Sequence, residues 1–200
     1  MAVAAMVRIE DGAYANLALP EMLGRSGMAP RDRAFATELV YGATRMRRAC
    51  DWLVDPHLRG PVQPEVRAAL RLGAYQLAFA GTPAHAAVSA TVSAALPRAR
   101  GLVNAVLRRV AGGLPPSWPD AGTELSYPDW IVARLVEDLG PGPARAALER
   151  MNRPPPVSTR EDGYVQDLGS QWVVELVGAQ PGQRVADLCA APGGKATALA

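Results

Sequence analysis

The sequence predicts a mainly α-helical chain: a bundle of helices, a helical connector, and the opening strand–loop–helix unit of a doubly wound nucleotide-binding sheet. Three observations predict it. Apolar residues from Ala13 to Val110 recur at helical spacing. A breaker-rich run, Gly112-Gly-Leu-Pro-Pro-Ser-Trp-Pro119, then interrupts the pattern. Further on, Arg184-Val-Ala-Asp-Leu-Cys189 is a short, mostly apolar run after the turn signal Pro181-Gly182, and a glycine-rich loop follows it. The expected division is 1–114, 115–160 and 161–200.

Pro30 to Arg47 sets Phe35, Leu39, Val40, Ala43 and Met46 on one stripe, with Pro30 in the first turn where a missing N–H is no loss. Pro64 to Ala80 aligns Val66, Leu70, Gly73, Leu77 and Ala80. A third helix starts at Thr82-Pro83, runs to Leu96 and closes at Pro97. A fourth, Gly101 to Ala111, buries Leu102, Val103, Val106, Leu107 and Val110 and turns Asn104, Arg108 and Arg109 outward. Short connections favour antiparallel packing. In the connector, Pro128 to Leu139 and Pro143 to Met151 read as helices, stopped by Gly140-Pro-Gly-Pro143 and Arg153-Pro-Pro-Pro156. Gln166 to Val177 reads as another, and Lys195 opens a last one through Ala200.

Composition narrows the class. The 200 residues are 49% hydrophobic and carry a net charge of +2, so a core is expected and a disordered class is excluded. Apolar runs are short and broken, which leaves no membrane span, and Met1 to Met6 is too brief for a signal peptide. Cys50 and Cys189 stand too far apart for a disulfide scaffold or a zinc site, and His57 and His85 lack metal-ligand spacing. A soluble cytoplasmic protein without metal is expected. Twenty of the 21 cations are Arg, and Lys195 is the only lysine. Through Trp118 there are 14 Arg against 8 carboxylates, and from Pro119 onward 7 cations against 11, so the front is basic and the rear acidic. Arg45, Arg47 and Arg48 cluster at one helix end, and Arg108 and Arg109 on another helix. These groups either neutralise phosphates or complement helix dipoles and keep the surface soluble.

Four blocks occur in order: Arg33-Ala-Phe-Ala-Thr-Glu-Leu-Val-Tyr-Gly42, Leu70-Arg-Leu-Gly-Ala-Tyr-Gln-Leu77, Pro83-Ala-His-Ala86 and Leu102-Val-Asn-Ala-Val-Leu-Arg-Arg109. Together they resemble the NusB-like RNA-binding domain that opens the RsmB (Fmu/Sun) type of ribosomal RNA cytosine-C5 methyltransferase. Free-standing NusB, an antitermination factor, shares the fold. The resemblance implies a NusB-like helical bundle, a connector, and the truncated start of a Rossmann-like S-adenosylmethionine domain. In such enzymes an Arg like Arg160 leads into a small αβ lobe that helps hold RNA. Here Gly163-Tyr-Val-Gln-Asp-Leu-Gly-Ser170, which in the family lies beyond that lobe, follows almost at once, so the lobe is expected to be missing.

The rear loop fits neither common phosphate motif. A Walker A loop needs glycine where Cys189 stands and Ser or Thr where Ala196 stands. The dinucleotide pattern fails because Gly193 and Gly194 are adjacent and no third glycine follows. On spacing alone an ordinary strand–helix turn remains the alternative. Asp187-Leu-Cys-Ala-Ala-Pro-Gly-Gly-Lys195 resembles the S-adenosylmethionine loop of RNA 5-methylcytosine methyltransferases. That resemblance implies that Cys189, Ala190, Ala191, Pro192, Gly193, Gly194 and Lys195 surround the methionine and ribose portion of S-adenosyl-L-methionine.

In that family a Cys thiolate adds at cytosine C6, and the activated C5 then takes the methyl group. The Cys residues lie in later motifs, and neither Cys50 nor Cys189 occupies one, so no catalytic residue is expected here. A parallel strand needs a partner reached by a crossover of a dozen or more residues, whereas five follow Lys195. The expectation is a fragment or truncated product, inactive by itself, acting as a monomer on RNA, chiefly ribosomal. The competing expectation is a NusB-like RNA- or protein-binding module without catalysis.

Overall fold

The computed structural model describes residues 1–154 and 156–200 and is mainly helical, as the patterning predicts. The chain forms two compact units, Met1–Asn152 and Arg153–Ala200. Among the described residues no helix is long and apolar enough to cross a membrane, and no group of His, Cys, Asp and Glu is placed to hold a metal ion.

The first unit opens with α1 (Ala2–Glu10) and α2 (Ala15–Gly24), followed by α3 (Pro30–Arg45) and α4 (Arg47–Val54). The helix expected to run on to Arg47 ends at Arg45, and a new one starts after Met46. Its stripe is rotated by one residue at the start: Ala36 is buried, while Phe35 is 51% exposed. Next comes α5 (Pro64–Ala78), against which α1, α3, α4, α6 (Ala84–Ala94) and α7 (Arg100–Gly112) all pack. That central position explains why every residue from Ala68 to Gln76 is buried, rather than the single stripe its spacing suggests. Leu77 is only half-buried, and Ala80 lies outside the helix.

The core includes Met6, Leu19, Val40, Leu70, Val103, Val106 and Leu107, each 1% exposed or less. At about 25 cal/mol per Å² of apolar surface removed from water, such a cluster is the main force on this unit. One charged group lies inside it. The Arg71 guanidinium meets Asp51 through Nε and Nη2, at 2.7 and 2.8 Å, and its Nη1 lies 2.8 Å from Glu10 Oε1. Burial alone would lower its pKa; Asp51 and Glu10 outweigh that and raise it. The pairing ties α1 and α4 to α5.

The connector belongs to the same unit. Trp118 packs tilted against Trp52 and stacks on Phe79, with ring centroids 5.1 and 6.1 Å away. A short helix, α8 (Ala121–Leu125), is capped by Asp120, whose carboxylate accepts from Thr123 N at 2.7 Å. Arg48 Nη1 donates to Tyr127 O at 2.7 Å and Asp129 Oδ1 at 2.6 Å, and Arg48 N–H donates to Ser126 Oγ. The hairpin of α9 (Asp129–Leu139) and α10 (Pro141–Met151) follows.

The second unit is sparer. Residues 158–166 fold back on themselves through one antiparallel bridge, Thr159 to Val165. Asp167 caps α11 (Leu168–Val177) by accepting from Gly169 N and Ser170 N. The strand expected over Arg184–Cys189 does not form: the segment carries no ladder, because no described segment lies beside it to exchange hydrogen bonds. The helix expected from Lys195 is a single turn, α12 (Ala196–Leu199).

Candidate functional site

The loop from Asp187 to Lys195 is built from local contacts. Asp187 accepts from Cys189 N at 3.0 Å, and Gly193 turns the chain with φ +109°, a conformation L side chains rarely adopt. Thr197 then ties the loop to α12, its N–H reaching Gly193 O at 2.8 Å and its hydroxyl the same oxygen at 2.9 Å. Cys189, Ala190, Ala191, Pro192 and Lys195 are exposed, and Gly193 and Gly194 half-buried. The seven residues are thus gathered by chain continuity around one turn. Among the described residues, the amides of Ala190, Ala191 and Gly193 donate no hydrogen bond within the chain, and Lys195 makes no ion pair. An apolar hollow of about 330 Å³ lies against the loop, lined by Val173, Val177, Val185, Leu188, Cys189 and Lys195. Such an arrangement offers donors to a small anionic group beside an apolar surface.

Sequence reasoning missed what holds this loop. Arg160 Nη1 donates to Gly194 O at 2.7 Å and to Thr197 Oγ1 at 3.2 Å. The rest of the guanidinium grips Asp162 and stands 5.0 Å from the Tyr164 ring centroid. The Asp162 bond holds Arg160 above the usual guanidinium range, and Arg160 holds the Asp162 carboxyl below the usual carboxylate range. A Cβ at Gly194 would sit 3.2 Å from Gln166 Nε2 and 3.4 Å from the Tyr164 ring. The sequence marked Arg160 only as a lead-in to another segment; nothing in its spacing announced a contact 34 residues away.

The other candidates scatter. Cys50 is fully buried in α4, and burial pushes its thiol pKa up. Of the first arginine cluster, Arg47 pairs with Glu10 and Asp51, and Arg48 is committed to Asp120, Asp129 and Tyr127. Arg108, in contrast, is exposed and, among the described residues, bonds only the neutral Asn104 side chain, at 3.1 Å.

Residues 1–112 match the NusB family. This chain belongs to the NusB family. Relatives extend beyond that domain. The chain is 38% identical to "Ribosomal RNA small subunit methyltransferase B" of Thermus thermophilus, over all of this chain and 56% of the relative. The proteins of that name from Xanthomonas campestris and Citrobacter koseri are 35% and 28% identical, over 85% and 94% of this chain and 51% and 57% of theirs. The chain therefore spans about half the length of the curated relatives it matches. Their name is that of the methyltransferase type to which the four sequence blocks point. The Thermus alignment runs over 231 positions although this chain supplies 200 residues, so about 31 positions of the relative face gaps.

Within the NusB-family unit the blocks have physical explanations. Gly42 is where α3 meets the Tyr75 ring: a Cβ there would stand 2.0 Å from Tyr75 Cζ. The Tyr75 hydroxyl donates to Glu38 at 2.5 Å, joining the first block to the second. Gln76 donates to Thr91 Oγ1 at 3.1 Å, a buried polar pair joining α5 to α6. The outward residues of the third and fourth blocks, His85, Asn104 and Arg108, are not consumed in this way; they line one groove.

Proposed function

We propose that this chain is the RNA-binding portion and S-adenosyl-L-methionine loop of a ribosomal RNA (cytosine-C5) methyltransferase, and that these 200 residues do not transfer a methyl group by themselves. The observation that carries the reading is the Gly193-Gly194 turn with Arg160 on its carbonyl, in a chain whose relatives are called ribosomal RNA methyltransferases. The loop residues fit the methionine end of the cofactor. The unpaired amides of Ala190, Ala191 and Gly193 suit a carboxylate, and the lack of side chains at Gly193 and Gly194 lets the backbone approach. Cys189 through Lys195 would surround it, and the cofactor's sulfonium supplies the methyl group. Arg160 holds the loop and does not touch substrate.

Absence of turnover rests on the thiols. Cytosine methylation of this kind needs an accessible thiolate. Cys50 is sealed in the core with its thiol pushed away from ionisation, and Cys189 is part of the loop itself. The same observation favours a second reading, a NusB-family RNA- or protein-binding module without catalysis. The first reading proposes ribosomal RNA as partner; no metal, a cytoplasmic setting and a monomeric state are proposed with either.

Calorimetric titration of the purified chain with S-adenosyl-L-methionine, together with a radioactive methyl-transfer assay on ribosomal RNA, tests this. The expected results are no micromolar heat signal, since the segment behind the loop forms no sheet, and no label in RNA. Labelled RNA would overturn the reading. Micromolar cofactor binding without labelling would leave the loop assignment standing and remove only the expectation of a weak site.

A further inference from the structure

The sequence holds no carboxylate between Glu65 and Asp120, while six arginines lie in that stretch. Two of them, Arg67 and Arg71, reach back to Asp51, Asp55 and Glu10. The other four belong to the α6–α7 hairpin, and those with recorded partners meet neutral ones: Arg98 meets Gln63 Oε1, Arg100 meets Ser93 O and Arg108 meets Asn104 Oδ1. Among the described residues none of the four is ion-paired, so their charge faces solvent undiminished.

Between the two helices runs a groove of about 460 Å³, within the range of small-ligand sites. Val88, Val92 and Ala111 give it apolar walls, and Ser89, Ser93 and Asn104 give it hydroxyl and amide groups. Arg100, Asn104, Arg108 and Ala111 follow at steps of four, four and three, one stripe of α7. Arg108 lies in the groove lining beside His85, and Arg100 bonds Ser93 toward the other end. Eight residues of helix put these arginines about 12 Å apart.

We propose that the α6–α7 face is the surface on which this chain holds single-stranded RNA, with one unstacked nucleotide seated in the groove and the flanking phosphates on Arg100 and Arg108. This rests on the reading of the chain as an RNA-binding unit and adds the place and the form of the RNA. Apolar walls with a few hydroxyl and amide groups suit a splayed base, which offers an apolar face and a polar edge. A duplex cannot present such a base without unpairing. An acid-free rim selects a polyanion over an ordinary protein surface, which would bring cations as well as carboxylates.

The test is fluorescence anisotropy of the full 200-residue chain with a fluorescein-labelled, mixed-sequence 12-nucleotide single-stranded RNA across a salt series. The Arg100→Ala/Arg108→Ala chain should bind about tenfold more weakly, and its salt slope should fall by about 1.4, or about 0.7 per phosphate released from a single strand. Ser89→Trp fills the groove without changing charge; it should weaken binding by a similar factor with the slope unchanged. Arg31→Ala/Arg33→Ala on α3 should stay within about twofold, and far-UV spectra should match throughout, because all these positions are exposed. Wild-type affinity in both groove variants would overturn the proposal while leaving RNA binding itself intact. So would a duplex of the same sequence that competes as well as the single strand. A wild-type chain that binds no RNA at low salt would overturn the RNA-binding reading along with it.

Discussion

Residues 1–152 and 153–200 are written in the same small and apolar vocabulary, yet they handle it differently. In the first unit, side chains from α1 through α7 close on one core around α5, and the connector buries Ala144 and Leu148 apart from that core, both 1% exposed or less. In the second, Gln166 alone among the described residues is buried, while Trp172, Val173, Leu176, Val177, Val185 and Leu188 are exposed. Helices satisfy their backbone within themselves and need a neighbour only for their apolar stripe. A strand needs its neighbour for both. Hence α11 persists with an open face, whereas 184–189 is no strand.

That contrast can be broken or sharpened by substitution. Arg71→Ala should cost the first unit about 3–5 kcal/mol, because Asp51 and Glu10 lose their buried partner; urea unfolding followed by circular dichroism reads it. A change under 1 kcal/mol would mean that water relieves the carboxylates. Leu148→Ala, far along the chain from the bundle, should cost about 2–4 kcal/mol in the same transition. A separate, earlier transition would instead divide the connector from the bundle. Gly42→Ala should cost about 1–3 kcal/mol by driving a methyl group against Tyr75.

Asp120→Ala should lower the thermal midpoint of the first unit by a few degrees through loss of the α8 cap. The hydrogen bond from Thr123 N holds the Asp120 carboxyl below the usual carboxylate range. Its contribution is therefore complete above the unfolded carboxylate pKa and disappears as pH falls through the folded value, and the variant should lack that acid-side loss. The smallest effect belongs to Leu176→Ser. At 86% exposure this leucine should change stability by no more than about 0.5 kcal/mol, while the protein becomes more soluble.

How far the sequence disclosed all this depends on range. Proline and glycine punctuation located α3, α5, α6, α7, α9 and α10 to within a few residues, because it acts locally. Helix α1 went unread: its small apolar residues have no strong start signal, and its place is fixed by Arg71, some sixty positions away. Phe35 and Leu102 fit their stripes by spacing yet point outward, since periodicity gives a face and not the width of the neighbour that covers it. At the candidate site, the order of Cys189 through Lys195 was legible. The Arg160 grip on Gly194 was not, being a contact of folding rather than of spacing.

The family match stops at residue 112, but the folded unit does not. Beyond that point, Trp118 covers an aromatic corner of the bundle, Tyr127 and Asp129 accept from the Arg48 guanidinium, and Ser126 accepts from the Arg48 backbone N–H. Cutting at the glycine pair would strip both, baring two rings and stranding a cation. Anyone transplanting this NusB-family head onto another protein should carry the chain through Asn152, where the molecule itself places the seam.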